Sequence, residues 1–490
     1  MGNRRAPAPG LHELRHPRYK MNLKPLILTG LLGLAFAWSA RSADQPNIVL
    51  ILADDLGWTD LGCMGSTYYE TPHIDRLAQE GMTFRSFYVC QNCAPTRAAL
   101  MSGQYAPRTG VYTVNSLARG KEGDRAMRVP ENATRLPLDK ITVAQALHDA
   151  GYATGMFGKW HLGVNGDYHP GKRGFDEAIE SSGRHLGFAT HPPSDIPEGT
   201  YLADYLTDRA VDFIARHKGA PFFLYLPHFG VHSPYQAKKD LKEHFDAKPP
   251  AGGHRDPTYA AMIASVDESV GRILAALEEH GLAGRTLVLF ASDNGGVGGY
   301  DTTEPPSSRR GITDNKPLRG GKGTLYEGGV RVPLLARWTG VIPPGAQNDS
   351  PAAHVDLSPT FMELAGTKLP DGYVLDGVSL APLFRHPEAT LPRRSVYWHF
   401  PGYLESYVHP AGWRTKPVSV IRSGDFKLLE FLEDGHVELY NLKDDVGETR
   451  NLAGPLAQQA RRMQRELDAW RTSLGALMPV LKPADATPQK

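Results

Sequence analysis

A cysteine, a proline two residues on and an arginine four residues on open a helix-like run at Cys93-Ala-Pro-Thr-Arg97. The chain has three cysteines, so in an oxidising compartment they cannot all pair. Cys63 and Cys90 could bridge and leave Cys93 over. Alternatively Cys90-x-x-Cys93 is a redox pair, which needs a strand–CxxC–helix setting in a small βαβ domain. A structural zinc site needs more ligands than two cysteines, and no histidine pair lies close by.

Oxygen donors form a second group. The apolar run Asn47–Ala53 ends in Asp54-Asp55, and the run Thr286–Ser292 ends in Asp293-Asn294. Ligands of open α/β sheets gather beyond the carboxyl ends of strands. Two such endings would put three carboxylates and an amide at one edge. Clustered carboxylates repel or take up protons unless a hard cation joins them, which points to Ca²⁺ or Mg²⁺. Either pair alone reads as an ordinary strand-ending turn; both together with the cysteine motif read as a metal site.

Cations and imidazoles complete the set. Gly158-Lys159-Trp-His161-Leu-Gly163 brackets a lysine and a histidine with glycines, a loop able to bring a charge and a titratable ring to an anion. His232 follows the apolar run at 222–225 and is assigned to the site. His228 is assigned a structural role, because Gly230 and Pro234 argue against the helix of a zinc-protease pair. Arg319-Gly-Gly-Lys322-Gly places Lys322 on a flexible Gly-rich loop; Gly323 stands where a P-loop needs Ser or Thr, so that reading fails.

The elements that must position these residues alternate. Helix-like segments at 73–81, 95–102, 141–150, 202–216 and 258–280 separate apolar runs at 47–53, 152–157, 221–226 and 286–292. Continuous apolar runs suit strands buried on both faces, so the fold class is α/β, with a mostly parallel sheet flanked by helices. Near 383–395 prolines and paired arginines suggest a linker. Short alternating segments then predict a small antiparallel sheet at 396–442, followed by an amphipathic helix at 453–474. The expected division is 1–43 extension and signal, 44–390 catalytic domain, 391–478 C-terminal α+β subdomain and 479–490 disordered tail.

Within 490 residues the formal net charge is +1, which gives no electrostatic reason to bind nucleic acid. From Met21, the favoured start, a basic end, a short apolar run to Trp38 and small residues at 39–43 read as an export signal too short for a membrane span. The expected location is periplasmic or extracellular, without a stable membrane anchor.

Five motifs together resemble the formylglycine sulfatases of the alkaline-phosphatase superfamily, in that family's order: Leu52-Ala-Asp-Asp55, Cys93-Ala-Pro-Thr-Arg97, Gly158-Lys-Trp-His-Leu-Gly163, Ser292-Asp-Asn-Gly295 and Arg319-Gly-Gly-Lys322. The resemblance spans about 46–445; the departure is Thr96, where many members have serine. It implies an alkaline-phosphatase-like fold and hydrolysis of sulfate monoesters, on sulfated carbohydrates or small molecules. It implies that a maturation enzyme oxidises Cys93 to formylglycine, whose hydrate attacks sulfur to give a covalent sulfo-enzyme. Asp54, Asp55, Asp293, Asn294 and the modified Cys93 would bind the cation. Arg97 and Lys159 would orient the hydrate, Lys159, Lys322 and His232 would contact the sulfate, and His161 would take the proton that lets sulfate leave. Rival readings are a phosphonate or phosphate ester hydrolase of the same superfamily and a non-catalytic glycan binder. The stretches 300–318, with Asp301, Arg309, Arg310 and Asp314, and His399 to Arg414 could line the pocket mouth.

Overall fold

Asn47–Ala53 is the middle of a nine-stranded sheet, and every residue of it is buried. The computed structural model describes residues 45–299, 311–392, 395–407 and 412–483. The predicted signal at 1–43 and residues Asp301, Arg309 and Arg310 lie outside them. In order across the sheet run Ala352–Ala353, Met82–Tyr88, Arg331–Arg337, Thr286–Ser292, Asn47–Ala53, Phe222–Pro227, Ala153–Gly158 and Glu177–Glu180, with Ala346–Asn348 also paired to Met82–Tyr88. Only Arg331–Arg337 runs antiparallel to its neighbours in this sheet. The sheet is therefore mixed and mostly parallel, as the continuous apolar runs predict.

Alternation along the strands divides the core in two. Ile48, Leu50 and Leu52 pack on one face with Ala94, Ala98, Leu147 and Phe361, from helices Cys93–Ser102, Val143–Asp149 and Leu357–Ala365. Val49, Ile51 and Ala53 pack on the other with Leu77, Phe213 and Val270, from Pro72–Gln79, Leu202–His217 and Pro257–Glu279. Both faces are covered, which is what an apolar run without polar alternation requires. Among the described residues no helix is long and apolar enough to cross a membrane.

The second sheet is antiparallel, in the order Ser395–Phe400, Val418–Ser423, Phe426–Phe431 and Val437–Asn441. One face carries Ile421, Leu428 and Leu439 against Met463 and Leu467 of the helix Ala457–Leu474. The other carries Trp398, Val420 and Leu429 against Tyr88 at the end of a strand of the larger sheet and against Leu325 and Val330. The described residues from Gln45 on form one compact unit that contains both sheets. The expected tail needs correction at its start: Val480–Leu481 pairs antiparallel with Met127–Arg128. Cys63 and Cys90 do not bridge; all three cysteines are free, Cys63 exposed and Cys90 buried with its Sγ 3.4 Å from His354 Nε2.

Candidate active site

Parallel register brings the acidic strand ends together. Ala53 pairs with Ser292, so Asp54 and Asp293 leave the same edge side by side, and the Asp293 N–H donates to the Ala53 carbonyl at 3.1 Å. Phe222–Pro227 flanks the central strand on its other side and ends level with it, Leu52 facing Pro227. The Lys159 N–H donates to the Pro227 carbonyl at 2.8 Å, which carries the Gly158–Gly163 loop to the same edge. Cys93 begins a ten-residue helix in which every residue is buried, with its Sγ beside the carboxylates of Asp54 and Asp293. A helix N-terminus favours negative charge at that point.

Asp54, Asp293, Asn294 and Arg97 are all fully buried. Arg97 donates Nε and Nη2 to Asp293 Oδ2 at 2.9 and 2.7 Å, and Nη2 to Asp54 Oδ2 at 3.3 Å. Its Nη1 donates to the Lys159 carbonyl. Lys159 Nζ donates to Asp54 Oδ2, and Lys322 Nζ to Asp55 Oδ2 at 2.7 Å. Asn294 Nδ2 donates to Asp55 Oδ1 at 2.8 Å. Three carboxylates thus face three side-chain cations. Burial alone would raise the Asp54 carboxyl, but Lys159, His232 and Arg97 outweigh it and hold it well below the usual range. Burial and the neighbouring Asp54 push Asp293 up to about 7.

Two oxygens remain. Asp54 Oδ1 and Asn294 Oδ1 are buried and accept no hydrogen bond. Asp54, Cys93 and Asp293, and again Asp54, Asp55 and His232, offer ligand atoms within 4.8 Å of one another. A hard cation satisfies such unpaired oxygens, so this donor set fits Ca²⁺ or Mg²⁺. The two groups share Asp54 and read as one ion position.

Two site residues, Asp55 (φ 65°) and His161 (φ 63°), hold the left-handed conformation that side chains other than glycine's seldom adopt. Such strain concentrates where surrounding structure fixes a functional geometry. His161 Nδ1 is buried without a partner, and burial, with Lys159 and Arg97 adding to it, lowers the ring's pKa to about 3. His232 Nδ1 lies 2.5 Å from the Ser233 carbonyl, which can only accept, so that nitrogen carries the proton. Its Nε2 lies 3.7 Å from Asp55 Oδ2.

Sequence reasoning made the Lys322 loop flexible; the structure pins it. Asn315 Nδ2 donates to the carbonyls of Gly296, Gly298 and Gly320, and the Lys322 N–H donates to the Gly296 carbonyl at 3.0 Å. The glycines serve close approach: a Cβ on Gly321 would lie 2.1 Å from the Gly298 carbonyl oxygen. Arg97, expected to orient the nucleophile, lies within electrostatic reach of Cys93 and donates to two carboxylates and a carbonyl. His399 lies in the core, bonded to Ser419, and does not reach the pocket mouth.

Sequence reading also missed residues that hold the site from behind. Asp60 accepts from the Gly57 N–H, Tyr259 and Thr313, fixing the turn after Asp55. His185 Nε2 donates to the His232 carbonyl at 2.8 Å. Neither has a local signature, since each works through partners distant in sequence. His228, assigned a structural role, is fully buried against Ser269.

Burial sets a pH dependence of stability. His161 sits at about 3, and burial puts His185, His228 and His399 each at about 4. Unfolded histidine titrates near 6.5, so below about pH 6.5 the unfolded chain binds protons that the folded chain refuses. The stabilising contribution of these four histidines therefore falls as pH drops toward about 4, while Asp293 and Glu448, each lifted to about 7, act in the opposite sense. His228→Asn should make the unfolding midpoint less sensitive to a change from about pH 7 to about pH 5 than it is in the parent, and an unchanged sensitivity would contradict the histidine contribution.

A carboxylate edge that could hold a cation, a cysteine at a helix start and a ring of lysines and histidines, on a mixed α/β sheet, suit a hydrolase of anionic esters. A sequence model of the Sulfatase family matches residues 46–367, and one described as the C-terminal region of N-sulphoglucosamine sulphohydrolase matches 321–473. The chain belongs to the sulfatase family and is a sulfuric ester hydrolase. It is 37% identical to a sulfatase of Formosa agariphila over 91% of this chain and 93% of that one. It is 33% identical to human (Homo sapiens) arylsulfatase A over 86% of each. Among solved structures, Ps i-CgsB in complex with k-i-k-neocarrahexaose superposes with a TM-score of 0.73 at 30% identity, covering 87% of this chain and 92% of that one.

Proposed function

We propose that this sulfatase acts outside the cytoplasm on sulfated saccharides, with an aldehyde made from Cys93 as its nucleophile. The observation that carries the reading is the Cys93 side chain, at the head of a buried helix and within ligand distance of Asp54 and Asp293. In this structure the thiol stands where the aldehyde hydrate would act. That modification falls to a separate maturation enzyme, and the signal-like segment after Met21 supports export.

Asp54, Asp55, Asp293 and Asn294 would hold one Ca²⁺ or Mg²⁺, which would neutralise sulfate oxygens. A hydrated aldehyde supplies two hydroxyls on one carbon, one to attack sulfur and one through which sulfate is later expelled. Arg97 holds the Asp54 and Asp293 carboxyls in place through its Nε and Nη2 donors. Lys159 and Lys322 present ammonium groups to the sulfate and to the charge growing on the departing oxygen. His161, whose buried Nδ1 has no hydrogen-bond partner, would be the group that accepts the proton of the second hydroxyl. His232, its Nδ1 proton held by Ser233, turns Nε2 toward the site.

The rival is a phosphate or phosphonate ester hydrolase. Sulfuryl and phosphoryl transfer need similar positioning, but a phosphate monoester carries nearly one more negative charge. A single ion position among the described residues favours the sulfate ester. Matched aryl sulfate and aryl phosphate substrates test this. The sulfate should be turned over at least about a hundredfold faster in kcat/KM. A phosphate preference would overturn the reading.

A further inference from the structure

Asp60 lies shortly after the candidate cation ligand Asp55 and is not itself among the groups that could hold the ion. It is nevertheless fully buried. Its Oδ2 accepts from the Gly57 N–H at 2.8 Å and from the Tyr259 hydroxyl at 2.7 Å, and its Oδ1 from the Thr313 hydroxyl at 2.6 Å. These donors are all uncharged, and they come from three separate stretches of the chain. Burying a carboxylate is costly unless directed donors satisfy it, so the position is fixed tightly. The Tyr259 hydroxyl also lies 3.2 Å from the carbonyl oxygen of Asp55, whose φ of 65° persists only where its surroundings hold it.

Thr313 begins the approach to Lys322, and the residue after it is held from the same side. The Asp314 carbonyl accepts from the Thr59 hydroxyl at 3.0 Å and from His254 Nε2 at 3.1 Å. Tyr69 donates its hydroxyl to Thr313 at 3.2 Å and stacks on the His254 ring, 4.4 Å between centroids. Asn315 comes next and gathers the carbonyls of Gly296, Gly298 and Gly320. The turn and this loop meet without spare room, since a Cβ on Gly57 would lie 2.6 Å from Asn315 Oδ1 and 2.9 Å from Asp60 Oδ2. Lys322 Nζ then returns to Asp55 Oδ2 at 2.7 Å. Asp55, its turn, Asp60, Thr313, Asn315 and Lys322 thus form a closed circuit of contacts.

We propose that Asp60 is a positioning residue for both halves of the site, fixing the Asp55 backbone for the cation and the Lys322 loop for the sulfate oxygens. One carboxylate then sets the distance between the ion and the lysine, although it touches neither the ion nor the substrate. Groups that hold a metal ligand in place commonly change metal affinity or activity tenfold or more when removed. The proposal rests on the cation-assisted sulfatase reading above, and deepens it by naming what aligns the cation ligand with the sulfate-facing lysine.

Calorimetric titration of the chelator-treated full chain with Ca²⁺ alone tests the first half without relying on turnover. Asp60→Ala should weaken Ca²⁺ binding by about tenfold or more. Asp60→Asn should stay within about threefold of the parent, because its amide oxygen still accepts from Gly57 and Tyr259 and its N–H can donate to the Thr313 hydroxyl. Tyr259→Phe removes just the hydroxyl between Asp55 and Asp60, and is the second variant should Asp60→Ala not fold; it should weaken Ca²⁺ binding by about threefold or more. At saturating Ca²⁺, Asp60→Ala should still show a kcat/KM for 4-nitrophenyl sulfate about tenfold below the parent, mainly through a higher KM, because the Lys322 loop has lost its anchor. A lowered unfolding midpoint with Ca²⁺ affinity within about twofold of the parent in both Asp60→Ala and Tyr259→Phe would make Asp60 merely structural and overturn the proposal. So would full recovery of kcat/KM in excess Ca²⁺, which would detach Asp60 from the Lys322 loop. Asp60→Asn as impaired as Asp60→Ala would show that the charge matters and not the hydrogen bonds, again overturning it. A parent protein that binds no Ca²⁺ would overturn this proposal together with the cation site, whereas one that binds Ca²⁺ and leaves aryl sulfates uncleaved would strike the sulfatase mechanism alone.

Discussion

Cys93→Ala should lower turnover of an aryl sulfate by roughly four to six orders of magnitude while the protein stays folded, since removing a nucleophile collapses the whole catalytic unit. The fold can tolerate it. Cys93 is the first residue of its helix, and alanine is a better helix former than cysteine. The packing that holds the helix comes from Ala94, Ala98, Leu100 and Met101, which the change leaves untouched. Cys93→Ser should be nearly as inactive, because one hydroxyl lacks the second that expels sulfate. Unfolding midpoints of both variants should stay within about 2 °C of the parent. Retained activity in either would remove Cys93 from the mechanism.

Lys427→Met should produce the largest loss of stability. Lys427 is fully buried, with Nζ 2.9 Å from both Glu327 Oε1 and Glu448 Oε1. Glu327 also accepts from the Tyr88 hydroxyl at 2.8 Å, and its backbone N–H donates to Glu448 Oε2 at 2.6 Å. Burial, opposed by Lys427, already lifts the Glu448 carboxyl to about 7, while Lys427 and Arg331 overcome burial to keep Glu327 below its usual value. Without the ammonium, two buried carboxyls face each other and at least one must stay protonated. Breaking a buried charge cluster by removing one partner costs about 3–5 kcal/mol. A lowered denaturant midpoint measures that cost. Glu327→Gln added to Lys427→Met should recover part of it, and strict additivity of the two changes would show that they do not interact. Because Glu327 closes the segment that begins at Lys322, the single variant should also lose aryl sulfate kcat/KM.

The contrast between these two positions shows what a sequence displays. Cys93 lies in a local pattern, and so do Asp54 and Asp293, each at the end of an apolar run; short-range rules place all three at a sheet edge. The runs at 47–53, 222–227 and 286–292 could be read as strands because burial on both faces leaves no polar alternation. That Asn47–Ala53 lies between the other two was not readable, since register depends on side chains hundreds of residues apart. Lys427 was visible only as one residue of a short strand. Its partners lie 100 and 21 positions away, and no local spacing encodes a buried charge cluster. Asn315 is the same kind of case: a single amide gathers three carbonyls from two glycine-rich stretches. The apparent flexibility of Gly-Gly-Lys-Gly followed from composition, whereas those glycines are there to let backbones meet.

The modification state of Cys93 tests the central claim most directly. Mass spectrometry of the tryptic peptide Ser86–Arg97, from protein matured in its own host and shown to hydrolyse sulfate esters, reads it. The expected result is an aldehyde or its hydrate at Cys93, with Cys90 in the same peptide still a thiol. Active protein in which Cys93 is found only as the unmodified thiol would contradict the mechanism.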